Sequence, residues 1–240
     1  MIEQTMNRLH NMKLYAMGEV LSQLIQDTSR SDLTVTEAVS FMVDAEYNKR
    51  KNNRIKRLLR LAKLKMPSAC FEDINYSAKR NLKKDQLNSI LLSDFIANHH
   101  NVLISGPTGV GKSYIACAFG NVTCRKRTPV LYFRVSKFLE YMAAEQAMGN
   151  YLKTIEKIGK VPMLILDDLG PDIMDKKQRN IMMEVVEERY LAATTIMTSQ
   201  LPIDQWYSVF GEPAIADAIM DRLLHNAYKI ELEGDSMRRH

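Results

Sequence analysis

Residues Leu103–Ser113 read LISGPTGVGKS, one residue after the polar run ANHHN. An apolar stretch stops, glycines stand at 106, 109 and 111 with a proline among them, and Lys112-Ser113 opens a segment of helical pattern. A turn between strand and helix explains glycine and proline but gives no reason for the lysine. GPTGVGKS fits G-x-x-x-x-G-K-[ST], in the strand-then-helix context that motif requires. Glycines let backbone N–H groups come close to phosphate oxygens, and a helix N-terminus adds partial positive charge. Gly106, Pro107, Thr108, Gly109, Val110, Gly111, Lys112, Ser113 and Tyr114 are therefore expected to surround a nucleotide. Lys112 is placed to reach the β- and γ-phosphates, and the Ser113 hydroxyl to ligate Mg2+.

Outward from this loop the pattern alternates. Short apolar runs occur at NVLIS, PVLYFRV, PMLILDDL, TTIMTSQ and AYKIELE, separated by helix-length segments. Nearly continuous β-runs joined by helices predict an α/β fold whose mostly parallel sheet is covered on both faces. Helices are expected over Lys112–Lys126, Ser136–Met148, Asp175–Leu191 and Ala214–His225, with Asp175 as an N-cap. The third run ends in Asp167 and Asp168. A carboxylate at the end of a strand beside the P-loop strand can hold Mg2+ through water, and a second can polarise an attacking water. An acidic strand end alone is common; together with the P-loop it points to hydrolysis. TTIMTSQ closes on Thr198, Ser199 and Gln200, any of which can sense a γ-phosphate or be a polar strand end. Arg222, at a helix end, is either a finger acting across a subunit interface or a surface ion pair, and Arg238 lies in the tail.

The charge is unevenly placed. Of a net +5, residues 1–66 hold 12 Lys/Arg against 7 Asp/Glu, and the remainder balances at 21 against 21. Asn48–Lys65 (NKRKNNRIKRLLRLAKLK) carries nine basic residues and no acidic one. This pattern predicts a polyanionic partner for a small helical domain, 1–66, ahead of a domain at 67–240. Met1 to about Asp27 has helical periodicity. Thr34-x-x-Glu37 reads as a capping box opening a helix that runs to about Leu64, and Pro67 follows as its stop. Trp206, Tyr207 and the methionines read as packing. Cys70, Cys117 and Cys124 have no metal spacing and read as free thiols, which suits a cytoplasmic chain. There is no apolar run of membrane-spanning length and no signal-peptide pattern, so no membrane partner is expected.

GPTGVGKS, LILDDLG, MTSQLP and ADAIMDRLLHNAYKIELEGDSMR, in this order, resemble the IstB-like ATP-binding proteins, AAA+ ATPases that help the transposases of insertion sequences. The likeness spans nearly the whole chain, and its C-terminal tract is the most specific part. It implies a five-stranded parallel sheet of order 5-1-4-3-2, ATP and Mg2+ as cofactors, and ATP sites at interfaces of a homo-oligomer. It also implies action on duplex DNA, largely independent of sequence, beside a cognate transposase. By position, Lys112, Ser113 and Asp167 match the P-loop and the metal-holding acid, and Arg222 matches the finger. Asp168 stands where many relatives have glutamate, Gln200 where many have an asparagine sensor, and Arg238 near a second sensor. Helicase loaders of the DnaC type share this core and are the alternative reading. A small-molecule P-loop kinase would leave the paired aspartates and terminal arginines without a use.

Overall fold

The computed structural model describes residues 2–27, 33–77 and 79–237. Arg238, and residues 28–32 whose TSRSD sequence predicts a turn, lie outside the described residues. Backbone contacts divide the chain into Met1–Arg57 and Leu58–His240.

In the first unit, the stretch of helical periodicity from Met1 to about Asp27 forms two helices, α1 (Ile2–Asn11) and α2 (Tyr15–Gln26). The break is a Schellman turn at which no glycine stands. Lys13 takes φ 59, its N–H reaches the His10 carbonyl, and the Leu14 N–H reaches that of Leu9. Helix α3 (Val35–Ala62) begins at the expected capping box, with the Thr34 N–H on Glu37 at 2.9 Å and the Glu37 N–H on Thr34 Oγ1 at 3.3 Å. The buried Glu46 carboxylate fixes α3 to the start of α2 by accepting from the Ala16 N–H. It also accepts from Arg50 Nε, and Lys49 pairs with Glu19. Lys51, Arg54, Lys56 and Arg57 stand exposed. The helix stops at Ala62, where Lys63 turns left-handed at φ 51, ahead of the expected stop at Pro67.

The second unit takes in the end of α3 because Leu58, Leu59, Ala62 and Leu64 pack on its core. Helix α4 (Lys84–Leu92) leads to β1 (Asn101–Ser105), α5 (Lys112–Arg125), β2 (Val130–Arg134) and α6 (Val135–Ala147). Then come α7 (Tyr151–Lys160), β3 (Met163–Leu169), α8 (Lys176–Arg189) and β4 (Thr194–Ser199). After a short 3-10 turn, α9 (Trp206–Phe210), α10 (Pro213–Leu224) and β5 (Ala227–Glu231) complete it. Helices α4 and α7 were not among the helices expected from the sequence, although α7 is strongly amphipathic. Asp175 caps α8 as expected, in a reciprocal pair with Gln178. All strand pairs are parallel and the order is β2-β3-β4-β1-β5, which is 5-1-4-3-2 read from the other edge.

Alternation along the strands splits the core into two layers. Val102, Ile104, Met163, Ile165 and Ile196 face α5 and α4, while Leu103, Leu164, Leu166 and Met197 face α6, α8 and α10. Cys117 and Cys124 belong to the first layer, all three cysteines are free, and Trp206 is fully buried with Nε1 donating to the Leu201 carbonyl. Buried Arg189 closes the far end of the sheet. It donates to the carbonyls of Ile158, Val161 and Thr194 and to Thr195 Oγ1, satisfying groups that the end of α7 leaves open. No described helix is long and apolar enough to cross a membrane.

Candidate nucleotide site

Parallel strands bring the loops after β1, β3 and β4 to one end of the sheet, where ligands of open α/β folds collect. A cavity of about 590 Å³ lies there, lined by Thr108, Gly109, Gly111, Lys112, Ser113 and Tyr114 from the P-loop and α5. Asp168, Thr198 and Gln200 add the ends of β3 and β4. Gly109 at φ 90 and Gly111 at φ 104 hold a backbone that L side chains rarely adopt. A Cβ on Gly109 would also meet Ser236, and one on Gly111 would meet the Arg80 guanidinium. The Val110 side chain is fully buried in the core, and its carbonyl accepts from Arg80 at 2.8 Å. Lys112 Nζ bonds the carbonyls of Gly106 and Pro107 at 2.5 and 2.7 Å.

Asp167 is completely buried and is the most heavily bonded carboxylate of the site. Ser113 Oγ lies 2.9 Å from both of its oxygens, Thr198 Oγ1 donates to Oδ1 at 2.6 Å, and the Tyr132 hydroxyl donates to Oδ2 at 2.6 Å. Burial, and next the bond to Asp167, push the Tyr132 phenol well above its ordinary pKa, so it stays a proton donor. Lys65 Nζ stands 3.9 Å from Oδ2. A hydroxyl and a carboxylate in contact are hard oxygen donors of the kind Mg2+ takes, with phosphate and water supplying the rest. Among the described residues no cluster of three His, Cys, Asp or Glu side chains offers a closed metal site. Ser113 and Asp167 are the residues that could hold such a metal.

Asp168 differs sharply from its neighbour. The β3–β4 register shifts between Leu166 and Leu169, and Asp168 takes φ 68 within that irregularity. Its side chain is half exposed and pairs with Arg134, at the end of β2, at 3.2 Å. Its N–H donates to Thr198 Oγ1 at 2.9 Å, so Thr198 joins both aspartates. Of the three polar residues closing β4, Ser199 turns away to the Leu169 carbonyl, and Gln200 accepts from Thr108 Oγ1 at 3.1 Å. Arg222 does not line this cavity. It lies on α10 with Nε 2.5 Å from Glu187 and its guanidinium 5.9 Å from the centre of the Tyr190 ring.

Several cavity residues carried no motif in the sequence. Ile74 and Asn75 form one wall with Met66, and Arg80 anchors it, donating to the Val110 and Asn75 carbonyls. Met237 also lines the cavity, its N–H on the Gly109 carbonyl at 3.0 Å.

Comparison with known proteins identifies the family and the fold. The model of the IstB-like ATP binding protein family matches residues 7–240. The insertion-sequence ATP-binding protein y4pL of Sinorhizobium fredii is 37% identical over 98% of this chain and 96% of that one. Among solved structures, the DnaC helicase loader superposes with a TM-score of 0.55 at 18% identity, covering 68% of this chain and 96% of that one. AMPPCP-bound DnaA from Aquifex aeolicus gives 0.58 at 18% identity, covering 70% of this chain and 51% of that one. The two structures establish a shared AAA+ P-loop fold, and the family match over almost the whole length decides the rest: this chain belongs to the IstB-like ATP-binding protein family.

Proposed function

We propose that the protein is an ATP-dependent DNA-binding regulator of transposition that assembles on duplex DNA, recruits or activates a cognate transposase, and disassembles on ATP hydrolysis. The observation that carries the nucleotide half is the constellation Lys112–Ser113–Asp167–Asp168–Thr198 at one end of the sheet. Family membership and the acid-free basic tract Asn48–Lys65 support the DNA half. Free thiols suit a cytoplasmic location.

In this reading Lys112 leaves the Gly106 and Pro107 carbonyls for the β- and γ-phosphates. Ser113 and Asp167 hold Mg2+, which when bound neutralises phosphate charge. Thr198 keeps the Asp167 carboxylate and the Asp168 backbone in place, and Gln200, tethered to Thr108, responds to the γ-phosphate. Asp168, once free of Arg134, orients the attacking water. Arg222 lies outside its own cavity, which suits a finger reaching the site of a second copy, and Arg238 is a candidate second sensor. Exposed Lys51, Arg54, Lys56 and Arg57 would meet phosphates, with Arg125, Lys126, Arg127, Lys176 and Lys177 as further candidates. If about six phosphates are neutralised, affinity falls roughly 10³-fold between 50 and 200 mM salt.

The test is fluorescence anisotropy of a labelled random-sequence duplex and its matching single strand, titrated with protein in ATP, ADP and no nucleotide. Tight duplex binding only with ATP is expected. Preference for the single strand would favour a DnaC-like helicase loader, and binding to neither would remove the DNA half of the proposal.

A further inference from the structure

The nucleotide cavity is ringed by four cations, and three have evident local tasks. Arg80 holds the Val110 and Asn75 carbonyls, Lys112 lies on the carbonyls of Gly106 and Pro107, and Arg134 pairs with Asp168. The fourth is Lys65. Among the described residues, the hydrogen bonds to Asp167 come from the neutral hydroxyls of Ser113, Tyr132 and Thr198, which orient a carboxylate without cancelling its charge. A carboxylate buried this completely needs a compensating cation. Among the described residues, Lys65 is the cation within 4.0 Å of it.

The surrounding backbone presents Lys65 to this position. Ala62 and Leu64 are buried and Met66 packs against the same core, so the residues on either side are pinned while Lys65 points into the cavity. Its side chain is 32% exposed and remains able to move. We infer that Lys65 is a built-in counter-cation of the nucleotide site, which offsets the charge of Asp167 when no divalent metal is there and so sets how strongly nucleotide binding depends on metal. The inference rests on the nucleotide reading proposed above.

The physical argument concerns two cations and one carboxylate. With no metal, an uncompensated Asp167 would repel incoming phosphates, and the ammonium removes that repulsion. A divalent metal held by Ser113 and Asp167 would repel the ammonium at short range and displace it. Removing the lysine charge should therefore weaken metal-free nucleotide binding while leaving metal-supported binding unchanged or tighter. Both effects raise the ratio of the two dissociation constants. The expected rise is on the order of tenfold, held far below the unscreened Coulomb value by the partial exposure of Lys65.

The experiment measures binding of a fluorescent, non-hydrolysable ATP analogue, N-methylanthraniloyl-AMPPNP, to the full chain in Mg2+ and in EDTA. Wild type is compared with Lys65→Met, Lys65→Gln and the charge-conserving Lys65→Arg, each checked by circular dichroism. A ratio raised about tenfold in the neutral variants, with Lys65→Arg near wild type, is the expected result. Two neutral variants keep the test informative if one fails to fold. An equal loss in both buffers, or no change in either, would overturn the role of Lys65 alone. Wild type that binds the analogue in neither buffer would instead remove the nucleotide reading, and this inference with it.

Discussion

Replacing Thr198 with valine keeps the shape and the β-branching of the side chain but deletes one oxygen with two jobs. That oxygen donates to Asp167 at 2.6 Å and accepts the Asp168 N–H at 2.9 Å. Thr198 is 1% exposed and Asp167 0%, so water cannot readily replace the first bond. A hydrogen bond to a charged group contributes about 1.5–3 kcal/mol, and a buried donor left without its acceptor costs about 1–3 kcal/mol. Because Asp168 is half exposed, its N–H can recover part of that loss, and a net cost of about 2–4 kcal/mol is expected for Thr198→Val. For a unit of this size that corresponds to a fall in melting temperature of about 5–12 °C. ATP turnover should fall further than stability, since Asp167 loses a fixed donor and Asp168 loses the anchor of its left-handed backbone. Thr198→Ser retains the oxygen and should recover most of both. The assay is thermal unfolding by circular dichroism alongside steady-state phosphate release. A Thr198→Val protein within about 0.5 kcal/mol of wild type, with unchanged turnover, would refute the idea that Thr198 joins the two aspartates.

Three further outcomes follow from the same geometry. Asp168→Asn should bind ATP and remain in the assembled state, with turnover reduced about 10²-fold or more in a phosphate-release assay; normal turnover would remove its role toward water. Arg222→Ala should leave nucleotide binding by single protomers intact while lowering turnover by about 10³-fold in the assembled form, and unchanged turnover would show that its pairing with Glu187 is merely structural. Arg189→Met removes a buried donor shared by three carbonyls at the far end of the sheet and should cost about 3 kcal/mol in urea unfolding without touching nucleotide affinity, whereas a near-neutral result would mean that those carbonyls find other donors.

Local sequence carried a good deal of this protein. The P-loop glycines, Lys112 and Ser113 are readable because the phosphate cradle is a contiguous segment whose backbone conformation demands those residues. The five strand runs are readable for a similar reason, since a strand buried on both faces must be apolar along its length. The capping box at Thr34 and the N-cap at Asp175 depend on residues within four positions, and the structure has both. Other features stayed hidden even though they are local. The break at Lys13 lacks the usual glycine, and the long α3 ends on a left-handed Lys63 before the proline that follows it.

What tertiary structure alone decided is how groups far apart in the chain share one cavity. Nothing near Tyr132, Arg134 or Arg80 marks them as site residues; each becomes one through strand register or a loop crossing. Register sets Arg134 opposite Asp167, yet the irregularity after Leu166 turns Asp168, not Asp167, toward its guanidinium. The three polar residues closing β4 are chemically equivalent on paper. Strand alternation and that same irregularity send Thr198 to the aspartates, Ser199 to a backbone carbonyl and Gln200 to the P-loop. Lys65 reads in sequence as one more cation of a basic tract, and only the packing of Ala62, Leu64 and Met66 turns it to a buried carboxylate 102 positions further along the chain. Sequence determines chemistry that depends on neighbours along the chain. Chemistry that depends on neighbours in space waits on register, bulges and packing, because a shift of a single residue in any of them redirects a side chain to the opposite face.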